Sequence, residues 1–141
     1  MIRAVVDTKV FVGACLGTGA ANRVVGMCLE GHPQALMGST LMAEYEDVLG
    51  RTALFKGCRL TARERSELLD IFLARTKWVR VYFGWRPNLR DEADNHLIEL
   101  AVAGSADCIV TRNVRDFSGM DLSFAGLRIL SPEQFLKEQT P

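Results

Sequence analysis

RDEADNHLIELAVAGSADCIVTRNVRDF, residues 90 to 117, is the stretch that decides the fold. From Asp91 onward, Leu97, Ile98, Leu100, Ala101 and Val102 recur at helical spacing until Gly104 closes the element. Asp107 to Thr111 (DCIVT) then reads as a short apolar strand, with Asn113 and Asp116 just beyond it. A helix running directly into a buried strand is the repeating unit of a parallel sheet.

Upstream the same alternation holds. Ile2 to Val6 (IRAVV) is a β-branched apolar run ending at Asp7, with helical spacing following it, and Ala20 to Glu30 is a helix with Val24, Val25, Met27, Cys28 and Leu29 on one broad face, stopping at Gly31. Gln34 to Gly38 is a second strand, and Ser39 is expected to cap a helix through Leu49 with Leu41, Met42, Tyr45, Val48 and Leu49 inward. Thr61 and Glu64 form a capping box that opens Ala62 to Thr76, with Leu68, Leu69, Ile71, Phe72 and Leu73 on the core side. Trp78 to Phe83 alternates as a strand. Leu127 to Leu130 is a last strand, and Pro132 opens a final helix to Glu138. The predicted architecture is α/β: three α/β/α layers, a mainly parallel sheet of about five strands, and one domain over residues 1–141.

Composition narrows the function. Seventeen basic and seventeen acidic side chains cancel, so any contact with a polyanion has to be local. Cys15, Cys28, Cys58 and Cys108 lie in or beside apolar stretches with no CxxC pair, which reads as a reducing, cytoplasmic setting without zinc or disulfides. The apolar N-terminus is interrupted by Asp7 and Lys9 and reads as neither a signal peptide nor a membrane span.

Ligand sites in doubly wound sheets lie at the carboxyl ends of the strands. Asp7 ends the first strand, Glu44 lies early in the helix after the second, Asp94 opens the helix after the third, and Asn113 and Asp116 follow the fourth. Taken singly each has an ordinary reading: Asp7 as a turn cap, Glu44 as an exposed helix residue, Asp91 and Asp94 as partners of a helix dipole, Asn113 and Asp116 as turn residues. Together on one rim they would repel one another unless a cation neutralised them, and oxygen-only ligands suit Mg²⁺ or Mn²⁺. The chemistry such a cluster serves is phosphodiester hydrolysis.

VVDTKVFV at 5 to 12, STLMAEYEDVLGR at 39 to 51, residues 90 to 117 and ILSPEQFL at 129 to 136 together resemble the PIN-domain family, and most of all its small bacterial members, often toxins of type II toxin–antitoxin pairs. The resemblance implies an endoribonuclease that cuts single-stranded RNA, is held by a cognate antitoxin protein, and self-associates as a homodimer or higher homo-oligomer. It puts Asp7, Glu44, Asp94 and Asp116 in the catalytic positions, with Asn113 as a further metal ligand. Thr8, Lys9, Asp91 and Thr111 stand in support, and Arg112 and Arg115 flank the rim as RNA contacts.

One position departs from the family pattern. After Asp-Thr the family usually has Asn or Ser, and here it is Lys9. An inward ammonium competes with a metal and weakens catalysis, leaving a domain that acts by RNA or protein binding; an outward one meets substrate phosphate. Among other readings, Gly17-x-Gly19 lacks the third glycine of a dinucleotide loop, so Gly13, Gly17 and Gly19 are expected to loosen a loop over the rim. A haloacid-dehalogenase-like phosphatase would need a second Asp at position 9. His32 and His96 share no ligand spacing and read as structural or surface residues, with His96, adjacent to Asn95 near the proposed site, the one to watch; the basic run Arg51, Lys56, Arg59, Arg63, Arg65 reads as a solvated face, with an RNA backbone track as the sharper alternative.

Overall fold

Arg3–Val6 (β1) runs through the centre of the sheet: Ala4, Val5 and Val6 are all buried, and since neighbouring strand residues face opposite ways, both faces are covered. The computed structural model describes residues 2–17, 19–81, 95–117 and 126–139. Around β1 stand α1 (Thr8–Cys15), α2 (Gly19–Leu29), β2 (Gln34–Met37), α3 (Ser39–Leu49), α4 (Ala62–Ala74), β3 (Lys77–Trp78), α5 (Asn95–Ala103), β4 (Cys108–Val110), β5 (Arg128–Leu130) and α6 (Pro132–Gln139). The strand order is β3-β2-β1-β4-β5 and every pairing is parallel. The predicted α/β class and five-stranded sheet are therefore observed. The chain moves from β1 outward to β3 and returns beside β1 as β4, which leaves a crevice beyond the carboxyl ends of β1 and β4.

Several boundaries differ from the sequence reading. Thr8–Cys15 is a helix, as the helical spacing after β1 implies, but Gly13 lies inside it rather than in a loop. A Cβ at Gly13 would stand 3.0 Å from Ala21 Cβ, so this glycine permits close approach of α1 and α2. Gly17, at φ +76°, supplies the turn between them. The cap of α3 is Gly38, with Ser39 already helical, so the expected Ser39 cap is not formed. β3 begins at Lys77 and ends at Trp78; of the expected strand, Tyr82 and Phe83 lie outside the described residues. Ile71, placed on the core side, is 54% exposed, because α4 buries only the narrower stripe of Arg65, Leu69 and Phe72.

Arg65 is the opposite correction. It is buried rather than solvated: its guanidinium lies 4.2 Å over the Phe55 ring and donates to the Leu60 carbonyl at 2.9 Å. Phe55 closes a one-turn 3₁₀ helix, Thr52–Phe55, too short to show a periodicity in the sequence.

The capping box of α4 forms as read. Thr61 Oγ1 accepts from the Glu64 amide at 3.1 Å, and Glu64 Oε1 accepts from the Thr61 amide at 2.9 Å. Thr61→Ala is expected to cost about 1 kcal/mol, read as a lower urea midpoint with an unchanged slope. An unchanged midpoint would show that the box is redundant with the packing of Leu69 and Phe72.

The interior is one continuous cluster of buried residues to which every strand except β3 contributes. At its centre Tyr45 stacks on Phe72 with ring centroids 5.8 Å apart and meets the edge of Phe11 at 5.5 Å, tying α3, α4 and α1 together. Among the described residues no single helix is long and apolar enough to cross a membrane. All four cysteines are free thiols, and burial raises three of them: Cys15 to about 11, Cys28 and Cys108 to about 12.

Candidate active site

Asp7 ends β1 and stands at the N-cap of α1, with extended backbone and its carboxylate almost entirely buried. Its amide donates to the Val110 carbonyl at 3.0 Å, which locks it against the end of β4. The next residue of β4's chain, Thr111, donates its hydroxyl to Asp7 Oδ2 at 2.8 Å and accepts from the Asn113 amide at 3.1 Å. Thr111 thus fixes both the carboxylate and the turn that carries Asn113.

Glu44 arrives from α3. The neighbouring Tyr45 donates its hydroxyl to the Val6 carbonyl at 2.7 Å, so the helix turn bearing Glu44 is pinned to the residue before Asp7. Thr8 Oγ1 lies 2.9 Å from Glu44 Oε1 and 3.3 Å from Asp7 Oδ1, and a hydroxyl has one proton to offer. Two carboxylates sharing one donor leave oxygen lone pairs facing the crevice.

His96, on α5, lies with Nε2 2.6 Å from Glu44 Oε2. That hydrogen bond, chiefly, holds the Glu44 carboxyl below its usual pKa; Thr8 and the Lys9 charge act the same way, and partial burial opposes them. His96 Nδ1 is buried without a hydrogen-bond partner among the described residues, as is Asn95 Oδ1. The role of His96 was not legible in the sequence, because its partner lies on a different helix and no fixed spacing connects them. Its adjacency to Asn95 near the proposed site is the signal the sequence carries, and it marks the residue without giving its partner.

A cavity of about 450 Å³ opens over this rim, lined by Asp7, Thr8, Lys9, Glu44 and Asn113 on the polar side and by Val12, Val48, Leu54, Asp47 and Arg51 along one wall. The structure therefore brings Asp7, Thr8, Lys9, Glu44 and Asn113 together, with Thr111 behind Asp7. Asp116 sits on the one-turn 3₁₀ helix Val114–Phe117, its amide bonded to the Asn113 carbonyl, and does not line the cavity. Arg112 pairs with Glu133 at 2.6 Å, which holds that carboxyl below its ordinary value, and Arg115 is exposed on the same turn. Asp91 and Asp94 lie outside the described residues.

Among the described residues no group of three or more acidic, His or Cys side chains is gathered tightly enough to hold an ion alone. The donor chemistry nevertheless fits a hard cation: Asp7, Glu44 and the Asn113 amide present oxygens to one cavity.

A parallel five-stranded sheet with a hydroxyl-bridged pair of carboxylates at its switch point defines the class of protein. The sequence matches the PIN domain family over residues 3–115, and the chain belongs to that family. A chain in the crystal structure of VapBC2 from Rickettsia felis, bound to a DNA fragment from their promoter, is similar in fold: TM-score 0.60 at 17% identity, covering 92% of this chain and 98% of that one. No curated protein matches the sequence.

Proposed function

We propose that this chain is a metal-dependent endoribonuclease that hydrolyses phosphodiester bonds of single-stranded RNA, working in the cytoplasm as the toxin of a type II toxin–antitoxin pair. The observation that carries the reading is the convergence of Asp7, Glu44 and Asn113 on one cavity, with Thr8 between the two carboxylates. Family membership and the fold shared with the VapBC2 chain support the nuclease and the antitoxin partner. The resemblance adds Asp94 and Asp116 to the site and self-association to the assembly, within a single domain.

Asp7, Glu44 and Asn113 would hold Mg²⁺ or Mn²⁺. When bound, such an ion supplies an activated water and neutralises charge on the phosphoryl group. The chain's own part is positioning. Thr111 and Thr8 fix the Asp7 carboxylate, His96 and Thr8 fix that of Glu44, and Tyr45 sets the distance between the two. Arg112 and Arg115, on exchanging their present protein contacts for phosphate, would receive the strand at the rim.

The test is cleavage of a fluorescent single-stranded RNA by the purified chain in Mn²⁺ or Mg²⁺, beside EDTA. Cleavage that needs metal supports the reading; a folded chain that cuts nothing in either metal overturns it.

One observation favours a second reading. Lys9 lines the same cavity, and its charge acts on Glu44. An ammonium there competes with a divalent ion, which would weaken catalysis and leave a domain that acts by binding RNA or protein. Lys9→Asn is expected to lower the Mn²⁺ concentration needed for half-maximal cleavage by about tenfold, the effect of roughly 1.4 kcal/mol of repulsion. An unchanged metal dependence would mean that the ammonium stays clear of the ion and that Lys9 is no brake.

A further inference from the structure

The chain has no net charge, yet one segment is strongly one-sided. Between Asp70 and Asp91 the sequence carries Arg75, Lys77, Arg80, Arg86 and Arg90 with no acidic residue, and both tryptophans of the chain, Trp78 and Trp85, fall in the same interval. Its described part, residues 71–81, includes β3, an edge strand of the sheet among the described residues. There Trp78 is 54% exposed. Lys77 and Arg80 are exposed beside it, and neither has an ion pair among the described residues. These three residues line a cavity of about 480 Å³ with Arg3, at the start of β1, and Ala103, Gly104 and Ser105, at the end of α5 remote from His96; among the described residues no acidic side chain contributes to it.

The register shows where this patch lies relative to the carboxylates. Trp78 pairs with Met37 of β2, and Ala35 of β2 pairs with Ala4 of β1, so Trp78 is level with Val6, one residue short of Asp7. Between the two places lies His96, bonded to Glu44 on one side. His96 also lines a cavity of about 140 Å³ with Val81, the neighbour of Arg80. The cavity beside His96 and the one beside Trp78 are separate and border the consecutive residues Val81 and Arg80.

We infer that Lys77, Trp78 and Arg80 form a docking track for single-stranded RNA, which holds the strand to one side of the cleavage site. The inference rests on the ribonuclease reading for the class of ligand. An exposed indole offers a base a stacking face, and two flanking cations match the phosphates on either side; this combination suits an unpaired strand, whose bases are free to stack. A duplex hides those faces, and an acidic peptide would use the cations and leave the indole idle.

The experiment reads binding alone, in EDTA, with the full chain and a labelled single-stranded oligoribonucleotide followed by anisotropy. Trp78→Ala is expected to weaken binding about tenfold, and Trp78→Phe, which keeps a stacking ring, to stay within about threefold of the parent. Lys77→Gln and Arg80→Gln should each lower the slope of log affinity against log salt by about 0.7, one phosphate contact on a single strand. In a Trp85→Phe background the remaining Trp78 fluorescence should quench as RNA is added. A folded Trp78→Ala chain with parental affinity overturns the track, as does a parent that binds no strand. Competition by polyglutamate as effective as that by RNA of equal charge would make the patch an acidic-peptide site and also overturn it. Because no cleavage is read, a failed nuclease assay removes the ribonuclease reading without touching this result, and unchanged affinity in Trp78→Ala removes the track without touching cleavage.

Discussion

Asp7→Asn is expected to lower metal-dependent RNA cleavage by at least about a hundredfold in kcat/KM while leaving the chain fully folded. Asn has the same shape, and its side-chain carbonyl still accepts the 2.8 Å hydrogen bond from Thr111. The change therefore removes a charge without emptying a space. A carboxylate ligand to a divalent ion accounts for several kcal/mol of transition-state stabilisation, and each 1.4 kcal/mol is a factor of ten. Stability should move the other way. Asp7 is buried and shares the Thr8 hydroxyl with Glu44, so without metal two negative groups face each other; Asn relieves that repulsion and should hold or raise the melting temperature. Cleavage by the variant within a few fold of the parent would remove Asp7 from the catalytic set. A collapsed melting temperature would instead make it a structural cap.

Tyr45→Ala is expected to be the most destabilising single change, at about 3–5 kcal/mol by chemical denaturation. The ring is fully enclosed, stacked on Phe72 and edge-on to Phe11, and no neighbour can fill its volume without moving a helix. Tyr45→Phe keeps the packing but leaves the Val6 carbonyl without the 2.7 Å bond, and should cost about 1–2 kcal/mol. Since that bond links the residue before Asp7 to the residue after Glu44, Tyr45→Phe should also reduce cleavage more than its stability loss predicts. The same burial gives an alkaline limit. Desolvation, with Asp7 the first of the neighbouring negative groups, raises the Tyr45 phenol well above its ordinary value of 10.0. The unfolded chain ionises near 10 and the folded one resists, so Tyr45 leaves stability unaffected below pH 10 and lowers it progressively as pH rises above. Unfolding midpoints of parent and Tyr45→Phe, compared at pH 8 and pH 11, test this: the gap between them should narrow or reverse at the higher pH.

How much of this was legible in the sequence follows from which interactions are local. The apolar run before Asp7, the helix closing at Gly104, the Thr61–Glu64 box and the strand into Thr111 each depend on residues a few positions apart, and each forms where it was expected. Gly13 misled because a glycine read alone signals flexibility; its use here is to let Ala21 of another helix come close. Arg65 misled because charge predicts exposure, and only the Phe55 ring and the Leu60 carbonyl, brought up by an unforeseen 3₁₀ turn, make its burial favourable.

The candidate site divides along the same line. Local pattern placed Asp7, Glu44 and Asn113 at the ends of elements that a parallel sheet must align, and the structure gathers these three in one cavity. It does not bring Asp116 into that lining, and Asp94 lies outside the described residues. By itself, then, the sequence determined the element order, the parallel sheet and the rim on which the carboxylates lie, because periodicity and turn chemistry act over short spans. The tertiary structure alone decided that Thr8 bridges Asp7 and Glu44, that His96 holds Glu44, that Lys9 faces the same cavity, and that Trp78 remains in the open level with the site. Those facts depend on distances between residues far apart in the chain, which become fixed only when packing sets the helices against the sheet.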